Sequence, residues 1–278
     1  MRVSVEHVTR LGYTADVVES VMDARLGPRS DVHQRWSSYE LRVAPAAAVR
    51  RYADSFGNIA HLVTIAKPHR AVEVTMSGQI ETLLRDPFRA PRELPQPLTP
   101  GERADFLDPS PLVPPGAEIA ALAAPFQDGA ADTFATAQKL MRLVYDRFEY
   151  VPDVTGVGTT VPEILAHKTG VCQDFAHVLI ALCRAIGIPA RYVSGYIVRD
   201  TASAAPTRGA GASHAWVEAF TPTHGWRGFD PTNDLVASEH HVKMAIGRDY
   251  RDVPPTQGTF RGAAGETLSV DVVTQVLV

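Results

Sequence analysis

Three short segments carry residue types that could do chemistry together: Gly170-Val171-Cys172-Gln173-Asp174, Ser213-His214-Ala215-Trp216 and Gly228-Phe229-Asp230-Pro231-Thr232. Cysteine, histidine and aspartate in this order supply the parts of an activated thiol: an attacking sulfur, a base for its proton, and a group that fixes the imidazole tautomer. If a helix starts at Cys172, its unpaired N–H groups and partial positive charge favour the thiolate. The backbone N–H of Cys172 then lies where the oxyanion of an attacked amide would form.

Each residue also has a plainer reading. Free cysteine often serves as a small buried hydrophobe, strand histidines are commonly structural, and an aspartate before proline is an ordinary turn residue. Coincidence of the three favours the thiol site. Cys183, on the apolar face of the same segment, fits the structural reading. Asp174 suits a helix N-terminus, and Gln173 suits a solvent-facing position. Trp216 and Trp226 are candidates for the walls of a substrate cleft, against the more common role of strand aromatics as core. Adjacent residues on an extended chain point apart, so His240 and His241 do not suggest a metal site. His177 lies five residues after Cys172, roughly 500° around a helix, and cannot share a zinc with it. No metal and no cofactor are expected.

These residues need a scaffold. Phe134, Ala137, Leu140, Met141, Val144, Tyr145 and Phe148 recur at helical spacing, with Asp132 or Thr133 as cap. A short helix is predicted from Thr160-Val161-Pro162-Glu163, ending by Gly170. A central one starts near Cys172, with Phe175, Val178, Leu179, Leu182, Cys183 and Ile186 inward and Gly187 and Pro189 as its stop. Strands are expected over 191–198 and on either side of the turn 221–225, so that a hairpin brings His214 beside Asp230. Between them, the small and polar run from Thr201 to Gly211 reads as a loop that gates or selects substrate.

The first 86 residues alternate with period two, as in Val3 and Val5, Tyr39, Leu41 and Val43, Val63 and Ile65, and Val72, Val74 and Met76. That pattern predicts an antiparallel, sandwich-like sheet domain. Nine prolines between Pro87 and Pro115 predict an extended connector over 87–131. The second domain is expected over 132–278, giving an α+β protein in which the nucleophile helix packs on an antiparallel sheet.

Composition narrows the class. The formal net charge is −4, and no basic run is long enough to track a phosphate backbone, so nucleic acid is not an expected partner. The N-terminus lacks the features of a secretory signal, and no segment approaches a membrane span. Two cysteines, too far apart on one helix for a disulfide, suit a reducing compartment. The expectation is a cytoplasmic protein with no membrane partner; the oligomeric state is not legible.

Residues 160–260 resemble the transglutaminase-like superfamily of papain-type thiol enzymes, on the strength of Gly-Val-Cys172-Gln-Asp-Phe-Ala, Ser-His214-Ala-Trp-Val-Glu and Gly-Phe-Asp230-Pro-Thr. The whole chain is similar to its two-domain bacterial branch, whose catalytic domain follows an all-β domain; Gly247-Arg-Asp-Tyr250 through Val253-Pro-Pro also resembles that branch. The resemblance implies Cys172 as nucleophile, His214 as base and Asp230 as orienting group. In better-known relatives a tryptophan or glutamine upstream of the cysteine contributes to the oxyanion site. Neither lies between Gln138 and Cys172, and Tyr150 is the candidate substitute. The resemblance admits a cysteine peptidase or amidase, in which water resolves the thioester, and a transglutaminase, in which an amine does. Hydrolysis of a protein or peptide substrate is favoured, because amine transfer requires a site that excludes water. A binding module that keeps the fold without turnover is the alternative of another class.

Overall fold

The computed structural model of the chain describes residues 1–198, 208–209 and 211–277, with the backbone alone for 128–131. The N-terminal alternation forms β1 (Arg2–Val17), β2 (Glu19–Gly27), β3 (Gln34–Ala44), β4 (Ala48–Ala53), β5 (Ile59–Ile65) and β6 (His69–Thr82). Val3, Val5, Val72, Val74, Met76 and Ile80 from one sheet meet Met22, Ala24, Leu26, Val63 and Ile65 from the other in a common core. Alternate side chains of a strand share one face, so two such strand sets close on each other.

The expected connector is only partly extended. Residues 83–99 run without helix, but Pro100 opens α1 (Pro100–Leu107), where a missing N–H costs nothing. Thr99 Oγ1 accepts the Glu102 N–H, and Glu102 Oε2 accepts the Thr99 N–H, forming a capping box. Helix α2 (Ala117–Ala123) follows and adds Ile119 and Ala123 to the core of the second domain. Next come α3 (Thr133–Arg147), capped by Asp132, then β7 (Glu149–Tyr150), α4 (Val161–His167) and β8 (Thr169–Gly170). Helix α5 (Cys172–Ala185) is the buried centre, with Phe175, Val178, Leu179, Leu182 and Cys183 inward as predicted.

Helix α5 packs on a sheet of β9 (Ala190–Ile197), β10 (His214–Thr221), β11 (Gly225–Asp230), β12 (Leu235–Val236) and β13 (His241–Gly247). Among the described residues its order is β12-β11-β10-β9-β13, antiparallel throughout. Ala215, Val217 and Ala219 face the helix.

The chain then returns to the first domain, which corrects the expected boundary at 278. Strand β14 (Thr256–Arg261) pairs with β2, and β15 (Glu266–Leu277) pairs with β1 from Arg2↔Leu277 to Tyr13↔Glu266. Among the described residues the sandwich sheets are thus β15-β1-β6-β3 and β14-β2-β5-β4. Unpaired edge N–H and C=O groups of β1 and β2 supply the reason, because edges demand partners. Among the described residues no helix is long and apolar enough to cross a membrane.

The second face of this five-stranded sheet rests on the sandwich. Two amide side chains satisfy the free edge of β13: Gln34 Nε2 donates to Lys243 O at 2.6 Å while its Oε1 accepts the Lys243 N–H at 2.9 Å. Asn58 repeats the exchange with Ile246, at 2.7 and 2.9 Å. Beneath them Glu218 holds Arg191 at 2.6 Å and Lys243 at 2.5 Å, and Lys243 reaches Asp31 at 2.7 Å. Burial opposes ionisation of Glu218, but the two cations hold its carboxyl well below the usual range. Glu218→Gln would leave Arg191 without its carboxylate and Lys243 with Asp31 alone, so chemical denaturation should show a loss of about 3 kcal/mol.

Candidate active site

The helix that carries Cys172 starts where it does because of a buried carboxylate. Asp174 Oδ2 accepts the Val171 N–H at 2.8 Å and the Thr155 hydroxyl at 2.6 Å. A Cβ at Gly170 would stand 2.7 Å from the Asp174 side chain, so only glycine lets the chain pass this close. Asp174 therefore has the structural role given to it, and burial raises its carboxyl above the ordinary range despite those bonds. Gln173 is held against the Val157 carbonyl at 3.3 Å. Cys172 itself is partly exposed at the first turn, whereas Cys183 is fully buried and its thiol is pushed up to about 12 by burial.

His214 and Asp230 meet through the β10–β11 hairpin. Pairing of Val217 with Phe229, continued one step, sets Trp216 across from Asp230 and leaves His214 diagonal to it on the same face. His214 Nε2 lies 2.9 Å from Asp230 Oδ2, with both side chains fully buried. A carboxylate there requires the proton on Nε2 and leaves Nδ1 of the neutral ring free to accept one. His214 Nδ1 makes no hydrogen bond of standard geometry, yet Cys172 lies near enough to raise the imidazole. Burial works against the imidazolium, but Asp230 and Cys172 outweigh it and carry His214 up to about 10.

Asp230 is held in turn. Its Oδ1 accepts the Thr232 N–H at 2.9 Å, an Asx turn of the Asp-Pro-Thr segment. Its Oδ2 also accepts from Asn233 Nδ2 at 2.8 Å and faces His241 Nε2 at 3.5 Å. Burial would raise this carboxyl, but His214 and His241 hold it far below the usual range. Neither Asn233 nor His241 was singled out as a site residue in the sequence. The available signal was the rule that dismissed the histidine pair: if neighbours point apart, one of the two must point inward.

The remaining candidates divide. The β7–β8 bridge pairs Tyr150 with Gly170, two residues from Cys172, and its ring stands edge-on to Phe175 at 6.2 Å. Burial, then the charge of Cys172, raises its hydroxyl. Neither tryptophan walls a groove at Cys172. Trp216 is 1% exposed and backs the site, stacked with His214 at 6.2 Å and edge-on to His241 at 5.2 Å. Gly195 and Gly228 on the flanking strands leave the room its indole needs. Trp226 lies at the far end of the hairpin with Arg191 4.0 Å over its ring, in a separate cleft of about 1080 Å³ beside residues 83–99. His177 accepts the Tyr250 N–H and is structural.

Of the loop expected to gate the site, residues 201–207 and 210 lie outside the described residues. Arg208 N–H donates to Asn233 Oδ1 at 2.9 Å, and its guanidinium lies over the Tyr150 ring at 5.4 Å. A Cβ at Gly209 would come within 2.4 Å of His214 Nδ1.

Residues 120–231, which hold all three groups, match the model of the transglutaminase-like superfamily, and residues 3–81 match the bacterial transglutaminase-like N-terminal region. The uncharacterized protein ML0607 of Mycobacterium leprae is 33% identical over 98% of this chain and 97% of its own length. The chain belongs to the transglutaminase-like superfamily. A candidate cysteine protease from Cytophaga hutchinsonii shares the fold, with a TM-score of 0.77 at 22% identity over 100% of this chain and 91% of the other. The protein-glutamine gamma-glutamyltransferase of Pseudomonas aeruginosa is 30% identical over 132 residues, 44% of this chain and 20% of that protein.

The His214–Asp230 pair makes stability depend on pH. Raised from 6.5 to about 10 on folding, His214 contributes fully below 6.5, and the contribution is lost as pH rises through about 10. Asp230 is depressed, so its share is present above the ordinary carboxylate value of about 3.9 and lost as pH falls below it. Urea denaturation should therefore show the largest stability gap between wild type and His214→Gln from about pH 4 to 6.5, closing towards pH 10.

Proposed function

We propose that this protein is a cysteine peptidase or amidase that cleaves an amide bond of a protein or peptide through a thioester on Cys172. The observation that carries the reading is the position of His214, bound through Nε2 to a buried carboxylate and close enough to the thiol at a helix N-terminus for Cys172 to raise its imidazole. In this reading Cys172 Sγ attacks the carbonyl carbon, and the Cys172 N–H and the Tyr150 hydroxyl donate to the oxyanion. Collapse of the intermediate breaks the C–N bond as His214 protonates the leaving amine. His214 then takes a proton from water, whose oxygen attacks the thioester and returns the thiol.

Water is favoured as acceptor because Cys172 is partly exposed to it, and amine transfer must keep water out. The likeness to a protein-glutamine gamma-glutamyltransferase favours amine transfer as the second reading. No cofactor is required by this chemistry. Two free thiols are in keeping with a reducing, cytoplasmic setting.

Wild type and Cys172→Ala, incubated with a mixed peptide library and a primary amine, separate the readings by mass spectrometry. Cleavage that disappears in Cys172→Ala is expected. Amine incorporation in its place would make the protein a transglutaminase. Neither product, with Cys172 as slow to alkylate as Cys183, would leave a non-catalytic binding module.

A further inference from the structure

A second histidine faces the carboxylate that orients the first. His241 opens β13, two strands beyond β10, and its Nε2 lies 3.5 Å from Asp230 Oδ2. Its ring is packed edge-on to Trp216 at 5.2 Å, the same indole that stacks with His214. Nδ1 accepts the Ser238 N–H at 3.4 Å, so the proton of a neutral imidazole sits on Nε2, which faces Asp230 without a hydrogen bond of standard geometry.

We propose that His241 is a positioning residue: its Nε2–H dipole, facing Asp230 Oδ2 at 3.5 Å, holds the carboxylate electrostatically in the orientation that keeps the His214 ring toward Cys172. The inference rests on the thiol-enzyme reading above and adds a residue to it. Asp230 Oδ2 must serve His214, Asn233 and His241 at once. A carboxylate fixed from several sides cannot rotate away when His214 gains and loses its proton, and sharing its charge tempers its hold on the imidazolium.

The titratable groups around His241 are Asp230 from β11, His214 from β10 and its neighbour His240. Burial, helped by the positive charge of His214 and opposed by Asp230, holds His241 below 6.5. It is therefore neutral at pH 7, a donor that brings no second positive charge to compete with the His214 imidazolium.

The test compares wild type, His241→Phe and His241→Gln in peptide turnover and in the pH profile of Cys172 alkylation by iodoacetamide. Loss of one polar contact of this length corresponds to about a two- to tenfold fall in kcat. That fall is expected in His241→Phe with KM unchanged. The alkaline limb of alkylation, which reports proton loss from His214, should move to higher pH as Asp230 is released from a donor. His241→Gln, whose amide can donate, should recover most of both.

An unmoved limb and unchanged kcat in His241→Phe would overturn the proposal, as would His241→Gln as impaired as His241→Phe with its limb unmoved. Side-chain ¹⁵N spectra of the wild type need no variant to fold: a proton on Nε2 of His241 supports the proposal and one on Nδ1 overturns it. Slow, unassisted alkylation of Cys172 in the wild type would remove the thiol-enzyme reading and this inference with it. Fast alkylation in the wild type with no effect of His241 removes the inference alone.

Discussion

A buried negative charge on Asp230 organises the half of this protein that holds the candidate site. An ionised carboxylate taken out of water is costly unless it is paired and hydrogen-bonded. Here it meets the His214 ring, the Thr232 N–H, the Asn233 amide and, at longer range, His241. Those partners come from β10, from the turn after β11 and from β13. Satisfying one carboxylate therefore fixes the end of the sheet at which Cys172 waits.

The same economy governs the back of the sheet. Strand β13 leaves an open edge, and the sandwich completes it with the amides of Gln34 and Asn58, each matching an N–H and a C=O as another strand would. Glu218, Arg191, Lys243 and Asp31 place buried charge at this seam, compensated pair by pair. Tyr196, Val198, Val242 and Met244 extend the sandwich core onto the five-stranded sheet. The all-β domain thus supports the strands that carry His214 and His241, and it is closed in turn by β14 and β15 from the end of the chain.

Much of this was legible because the signals are local. Apolar residues at helical spacing located α3 and α5, period-two alternation located β1, β5 and β6, and glycine and proline marked where elements stop. Cys172, His214 and Asp230 stood out by type and by their places at a helix start and on two arms of a hairpin. Pro100 misled because proline forbids a helix interior but suits its first residue. The alternation in Val270, Val272 and Val276 could have announced a strand, yet nothing local says that its partner is β1, more than 250 residues away.

What the sequence by itself determined is most of the helices and strands of each domain and the residue types at the candidate site, because backbone propensity and side-chain period are properties of near neighbours. Only the tertiary structure decided that Trp216 is a buried backing for two histidines, that Trp226 belongs to a different cleft, and that His241 faces Asp230. Those outcomes depend on strand order and on which face of the sheet meets the sandwich. Hydrophobic burial and edge pairing settle such matters through contacts between distant segments, and a single chain read in order carries no record of them.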